Sequence, residues 1–373
     1  MSRTTIVFCG GGSGGHLSPA IAIIEQLQKL RPDVHSALFC SHRPVDRQIL
    51  EAAAPSLPAL TWQPVVQIPR GSFPRRHLQG LLEIHRSKQS LLTMFRQLRP
   101  AVVVGLGAFA SIPGVLAASR LKIPILLLEA NTVPGRATRM LASRAARICA
   151  GLPLADNLKA KLRTTVELCG VPVRDAISDI ARRPLPQSPD RRTLLVIGGS
   201  QGATRLNTLF LHALRFDNAL PPGWKILHQA GTHDAERVRQ LYREQALPAE
   251  VVEFLPNLPE RLPEIGLAVS RAGAVTLAEL ACAAIPAILV PLASAADKHQ
   301  QHNAHCMASA GMAAVVDESA STSVAARHLQ SLLQEISHSE CRLQHMAKIA
   351  RHLATPDAAK VIATRLLQST DPT

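Results

Sequence analysis

Two glycine-rich turns stand about half a chain apart, and each joins a short apolar run to an amphipathic one. Ile6-Val7-Phe8-Cys9 runs into GGGSGGHLSPA (Gly10 to Ala20), and Leu194-Leu195-Val196-Ile197 runs into GGSQGATRLN (Gly198 to Asn207). Each reads as a buried strand that ends in a tight turn and opens a helix. Glycine lets the backbone adopt positive φ and approach a ligand closely, and the first N–H groups of a helix attract anions. One such turn constrains little. Two, each heading its own half of a 373-residue chain, predict an α/β protein of two Rossmann-like parallel-sheet domains facing a cleft.

The flanking sequence supports this reading. Apolar runs at 4–9, 34–40, 101–105, 124–129 and 147–151 alternate with helical patterns near 18–30, 45–54 and 76–97, and a proline- and glycine-rich loop holds Pro64, Pro69, Gly71 and Pro74. Residues 182–192 (RRPLPQSPDRR) carry three prolines and five charges with no periodicity, the composition of a linker. The expected division is therefore a domain at 1–175, a linker at 176–192 and a second domain at 193–373. In the last segment, Val361, Ile362, Arg365 and Leu366 have the spacing of one helix face.

Composition narrows the partners. Apolar content of 47% with 18% charged residues describes a globular chain. Aromatics at 3% argue against single-stranded nucleic acid, which is gripped by stacking. Seven scattered cysteines without a CxxC pair predict neither a disulfide framework nor a zinc site, hence a reducing compartment. No secretory leader and no apolar run long enough for a membrane span is expected. Charge is uneven: residues 1–175 hold 22 Lys and Arg against 9 Asp and Glu, whereas the remainder holds 19 against 18. A basic N-terminal half predicts an anionic partner, whether a polyanion, a lipid surface or a phosphorylated substrate.

The first loop contains G-x-G-x-x-G at Gly10, Gly12 and Gly15, but the second strand ends in Ser41-His42-Arg43. The acid that grips the NAD ribose is missing, while Arg43 keeps an NADP reading open. His16, at the loop mouth, is a candidate general base because imidazole titrates near neutrality; an ordinary helix-start histidine is the alternative. The second loop offers Ser200 and backbone amides but no Gly-Lys-Ser/Thr, which suits a diphosphate leaving group better than phosphoryl transfer. In SRAGAVTLAE (270–279), Glu279 sits where a carboxylate can grip a ribose diol or merely complement the helix dipole. Asp297 to Asn303 (DKHQQHN) crowds amides and imidazoles, suited to sugar hydroxyls or to a solvated helix face. Arg174 of GVPVR can neutralise a diphosphate or be a surface cation.

Taken in order, GGGSGGHLSPA, GLGAFASIPG (105–114), LEAN (128–131), GVPVR, GGSQGATRLN, RAGAVTLAE and DKHQQHNA resemble the MurG-type glycosyltransferases of family 28 over nearly the whole chain. The resemblance implies a GT-B fold, with acceptor recognition in the N-terminal domain, UDP-sugar in the C-terminal one, and the last helix packing back on the first domain. It implies that Ser13, Gly14 and Gly15 line the reaction centre with Asn131 nearby, and that Arg174 and Ser200 hold the diphosphate. It further implies that Glu279 holds the ribose, that Leu255 and Ala274, Val275, Thr276, Leu277 and Ala278 frame the uridine, and that Gln300 and Gln301 hold the sugar. Departures from the family pattern gather on the acceptor side: Ala108, Phe109 and Ile112 in the glycine-aromatic segment 105–114, Leu128 and Ala130 around Glu129, and Val171 before Arg174. Ser13 replaces the usual threonine and keeps its hydroxyl.

The activity so implied is inverting transfer of N-acetylglucosamine from UDP-N-acetylglucosamine to a lipid-linked muramoyl-pentapeptide in peptidoglycan synthesis. His16 is the first candidate base and Glu129 the second; no metal and no cofactor beyond the donor substrate are expected. An acceptor in the inner leaflet explains the one-sided charge and places the chain peripherally on the cytoplasmic face of the inner membrane, with no nucleic-acid partner. Arg70, Arg75, Arg76 and Arg86 would meet anionic headgroups. Phe73, Leu78, Leu81, Leu82, Leu91 and Phe95 would insert, and Phe109 would face the acceptor. Two rivals stand: the same donor chemistry on another lipid-linked acceptor, and an NADP-binding oxidoreductase.

Overall fold

The structure, a computed structural model, describes residues 4–68, 75–185, 191–199, 202–216 and 219–370, without the side chains of Arg75, Arg76, His77 and Ala296. The chain forms two compact units, Met1–Asp175 with Asp357–Thr373, and Ala176–Pro356.

The first unit is built on seven parallel strands: β1 (Thr5–Cys9), β2 (His35–Ser41), β3 (Leu60–Val66), β4 (Val102–Gly105), β5 (Ile125–Glu129), β6 (Arg147–Ala150) and β7 (Thr165–Leu168). Their order is β3-β2-β1-β4-β5-β6-β7, so the direction of winding reverses between β1 and β4. Parallel sheets of this kind are covered on both faces, which is why β1 (TIVFC) is apolar without alternation and wholly buried. Ile6, Phe8, Leu17, Ile24 and Leu38 fill one side. Val7, Phe39, Val103, Leu91 and Phe95 fill the other. Leu91 and Phe95 are thus core residues, each 1% exposed, which corrects the expectation that they insert into lipid. The helix Arg75–Leu98 turns them inward because they lie four apart on one face.

β3 lies in a stretch that its prolines suggest is loop. Pro64 is accommodated because β3 is an edge strand, where a missing N–H breaks no central ladder. The last helix, Ala358–Gln368, returns to the first unit and packs on the helix Gly14–Leu30 through Ala359, Ile362, Ala363 and Leu366. Val361 is instead exposed. Arg365 reaches Glu167 of β7 at 2.9 Å, and Arg147 binds the other carboxylate oxygen.

The second unit repeats the plan with six parallel strands: β8 (Thr193–Ile197), β9 (Lys225–Gln229), β10 (Ala249–Val252), β11 (Ile265–Ser270), β12 (Ala287–Leu289) and β13 (Ala313–Val315), in the order β10-β9-β8-β11-β12-β13. Winding reverses between β8 and β11. Within 176–192, the helix Asp175–Arg182 buries Ile177 and Ile180; it ends before Pro184, the first of the three prolines. Among the described residues, no helix is long and apolar enough to cross a membrane.

Candidate active site

In an open parallel sheet, ligands bind beyond the carboxyl ends of the strands where the winding reverses. In the first unit this point lies between β1 and β4, whose ends Cys9 and Gly105 are paired. The loop after β1 turns through Gly10, Gly11 and Gly12, all at positive φ (154°, 148° and 94°). A Cβ on Gly11 would stand 2.3 Å from Asp46 Oδ2, so only glycine fits. Asp46 is fully buried and accepts the Gly12 N–H on both oxygens at 2.8 Å, with the Ser41 hydroxyl at 2.6 Å and the Ser41 N–H at 3.1 Å. Arg43 Nη1 donates to the Gly12 carbonyl at 3.0 Å. The Gly12 peptide is therefore gripped on both sides. Asp46 takes the amide that a pyrophosphate would need, so Gly12 is not free to cradle the NADP of the rival reading.

The clamp leads directly into the helix Gly14–Leu30. Ser13 occupies its N-cap position, yet its hydroxyl makes no cap bond and instead pairs with His16 Nδ1 at 2.7 Å. A serine at that position normally satisfies a helix N–H; diverting it to an imidazole is the kind of local exception found at functional sites. Gly14 is half-buried, Gly15 exposed and His16 half-buried. The loop after β4 passes alongside: a Cβ on Gly107 (φ +84°) would lie 3.7 Å from His16 Nε2.

Glu129 ends β5 and is buried. One oxygen accepts the Asn131 N–H and side-chain amide, both at 3.1 Å; the other accepts the Gly135 N–H at 2.8 Å and the Thr138 hydroxyl at 2.7 Å. Four donors fix it as the organiser of its own loop, with Asn131 as one of them. Phe109 is half-buried against the core. Arg174 is half-buried near Glu25, whose carboxyl burial pushes up while the Asp175 N–H and the charges of Arg174 and Lys29 pull it down.

In the second unit, the ends of β8, β11 and β12 lie side by side, Ile197 opposite Ser270 and Ser270 opposite Leu289. The glycine loop after β8 closes with the Gly202 N–H donating to the Gly199 carbonyl at 2.9 Å, and Gln229 also donates to Gly199 at 3.0 Å. Ser200 lies outside the described residues. After β11, Gly273 opens the helix Ala274–Cys282 with no side-chain cap. Ala274 and Leu277 are buried, and Val275, Thr276, Ala278 and Glu279 are half-buried. Leu255 is also buried.

Glu318 ties the turns after β11 and β12 together. It is 4% exposed, pairs with the buried Arg271 at 2.6 Å, and accepts the Ala293 N–H at 2.7 Å. Asp297 and Lys298 then both adopt φ of 52°, unusual for non-glycine residues and costing on the order of 1 kcal/mol each. Two amides of the following helix serve backbone: Gln300 Oε1 accepts the Leu292 N–H at 3.0 Å, and buried Asn303 donates to Ala272 at 3.1 Å. The first of these bonds uses the Oε1 of Gln300 and not its Nε2, and Gln301 is half-buried.

The comparisons with known proteins follow this division. Residues 6–150 match the glycosyltransferase family 28 N-terminal domain and 193–362 the glycosyltransferase family 28 C-terminal domain. A UDP-N-acetylglucosamine--N-acetylmuramyl-(pentapeptide) pyrophosphoryl-undecaprenol N-acetylglucosamine transferase from Stutzerimonas stutzeri is 36% identical, covering 97% of this chain and 98% of its own. The chain belongs to glycosyltransferase family 28. A relative of the same name from Azotobacter vinelandii is 35% identical, with 97% and 98% covered. The crystal structure of Acinetobacter baumannii MurG superposes with a TM-score of 0.74 at 26% identity, covering 98% of this chain and 99% of that one.

Within this family 28 chain, sequence reasoning passed over Asp46 and Glu318, the two carboxylates that brace the loops. The docking residues divide as well. Leu78, Leu81 and Leu82 are 65%, 64% and 50% exposed, and Arg86 is exposed. Arg70 and Phe73 lie outside the described residues, as do the side chains of Arg75 and Arg76.

Proposed function

We propose that this enzyme transfers N-acetylglucosamine from UDP-N-acetylglucosamine to a polyprenyl-diphosphate-linked muramoyl-pentapeptide, inverting the anomeric carbon. The observation that carries the reading is near-full-length similarity, at 36% identity, to a transferase of that name. The chemistry is a single displacement: the acceptor hydroxyl attacks the anomeric carbon through an oxocarbenium-like transition state, and UDP leaves from the opposite face.

His16 is the base. In the tautomer whose Nδ1–H donates to Ser13 Oγ, 2.7 Å away, the basic nitrogen is Nε2, on the Gly107 side. Glu129, with four donors already on it, positions the Asn131–Thr138 loop and does not take the proton. Arg174 and the amides around Ser200 meet the charge that grows on the leaving diphosphate. Glu279 grips the ribose, Leu255 and residues 274–278 frame the uracil, and Gln300 and Gln301 hold the sugar hydroxyls. No step calls for a metal. Leu78, Leu81 and Leu82, flanked by the arginines of 70–99, dock the enzyme peripherally on the anionic cytoplasmic face of the inner membrane.

The test is UDP release from UDP-N-acetylglucosamine with and without the lipid-linked muramoyl-pentapeptide. Acceptor-dependent release that His16→Ala abolishes is the expected result. Donor binding without release on this acceptor, but with release on another polyprenyl-linked sugar, would replace the acceptor and keep the donor half.

A further inference from the structure

Beside the clamped loop, a cavity of about 580 Å³ opens between the ends of β2 and β3 and the helix Arg75–Leu98. That volume suits a ligand of several residues or one drug-sized molecule. It adjoins the reaction loop: Arg43, which lines it, holds the Gly12 carbonyl, and Ile68, also lining it, lies 3.0 Å from where a Gly12 Cβ would stand. Its other described walls are polar except for Leu82, and His42 follows the end of β2. Gln67 comes from the end of β3, and Gln79, Glu83 and Arg86 come from the helix. Glu83 is already committed, accepting the Gln67 N–H and the Ser87 hydroxyl, each at 2.8 Å. Arg86 makes no ion pair among the described residues. Among the described residues, the cavity therefore offers the Arg86 guanidinium, the remaining donors of Arg43, two amides and the His42 imidazole, with the carboxylate of Glu83 engaged from within the protein.

We infer that this cavity binds the peptide of the acceptor, Arg86 taking its terminal carboxylate and Gln79 its amide groups. The inference rests on the reading of the acceptor given above. A peptide supplies what the lining asks for: an anionic end for a guanidinium, and alternating donors and acceptors for carboxamides. The position fits too, since a peptide carried by the acceptor sugar must run away from the hydroxyl that His16 activates. On this view Arg86 serves acceptor selection, and Leu82, which also lines the cavity, marks where the cavity meets the docking leucines.

The experiment uses the full chain, Arg86→Gln and Gln79→Ala variants, and three soluble short-chain polyprenyl-diphosphate acceptors assayed without vesicles. These bear the muramoyl-pentapeptide, the same peptide with a C-terminal carboxamide, and no peptide. Arg86→Gln should raise the acceptor KM about tenfold for the free carboxylate and less than twofold for the other two. Gln79→Ala should raise it several-fold for both peptide acceptors and not for the peptide-free one. The KM for UDP-N-acetylglucosamine, unchanged throughout, reports an intact fold. Equal increases on all three acceptors would move the cavity to the diphosphate or the sugar and overturn the inference. No KM change, with weakened binding to vesicles containing phosphatidylglycerol, would make Arg86 a headgroup ligand and overturn it too. If the unmodified enzyme uses none of the acceptors yet binds UDP-N-acetylglucosamine, the acceptor reading itself has failed.

Discussion

The two glycine-rich loops look alike in sequence and are held in opposite ways. In the first unit a buried carboxylate, Asp46, seizes the Gly12 N–H, and Arg43 seizes the carbonyl of the same residue. In the second unit, among the described residues, no carboxylate hydrogen-bonds to Gly198, Gly199, Gly202 or Ala203. That loop rests on Gln229 and on the Ala230 carbonyl, which a Cβ at Gly202 would approach within 2.3 Å. An anion inside the protein competes with an anionic ligand for backbone donors, so the Gly12 N–H is already taken. On the function proposed above, the first loop mounts the base and the second receives the leaving group. The shared glycine pattern reflects only the shared strand–turn–helix geometry.

The sharpest way to break this contrast is at His16. His16→Ala should lower kcat by about 10²–10⁴-fold, the usual worth of a positioned base, with the KM for UDP-N-acetylglucosamine within twofold. A loss confined to donor KM would make the first loop a donor receptor after all. Next in size is the clamp. Asp46→Asn sets an amide group against the N–H of Gly12 or Ser41 and should lower kcat about 10- to 100-fold at unchanged donor KM. Gly11→Ala, whose methyl would strike Asp46 Oδ2, should do the same. Because Asp46 holds the Gly12 N–H one residue before Ser13, the loss should fall on kcat alone; an equal rise in donor KM would make Asp46 a general brace of the fold instead.

That clamp also marks how far the sequence could be read. Both glycine loops, most strands and the outward-facing Leu78 and Leu82 follow from local pattern, because burial on two faces makes parallel strands apolar and glycine marks the turns. Asp46 does not, since it lies 34 residues from its partner Gly12 inside an unremarkable helix, Pro44–Ala53. Only the pairing of β1 with β2 brings the two together. Glu318 is hidden for the same reason, 47 residues from Arg271. Glu129 is visible in LEAN as the second candidate base, but the four donors that hold it come from a loop whose path no periodicity predicts. Leu91 and Phe95 were misplaced because one helix carries both an exposed leucine cluster and a core face.

On the receptor side the expected effects are smaller and fall on binding. Glu279→Ala removes the carboxylate proposed to grip the ribose and should raise the KM for UDP-N-acetylglucosamine about tenfold, with kcat within threefold. Isothermal titration with UDP should show the same loss, and unchanged affinity would remove Glu279 from the nucleotide site. Set beside His16→Ala, this separates the two units by kinetic parameter.

The smallest effect at neutral pH concerns what lies under the second loop. His228 is wholly buried, bonded to Tyr242 through Nδ1 at 2.9 Å and to Asn207 through Nε2 at 3.0 Å. Asn207 in turn donates to Asp234 at 2.7 Å, which Arg237 also holds. Burial pushes the His228 imidazole down to about 3 from 6.5, so it stays neutral in the folded chain and protonates first in the unfolded one. A group depressed in the folded state stabilises fully above its unfolded pKa and loses that contribution as pH falls. Between pH 6.5 and about 3 the loss approaches one proton's worth of slope, amounting to about 2 kcal/mol by pH 5. Arg237 and Asn207 hold Asp234 below the usual carboxylate range, so its own contribution fades only in stronger acid. Urea unfolding of the wild type at pH 7 and pH 5 should show this drop, and His228→Gln should show about 2 kcal/mol less of it. Equal pH dependence in the two proteins would mean that the imidazole is solvated when folded, and that the second loop does not rest on a neutral core.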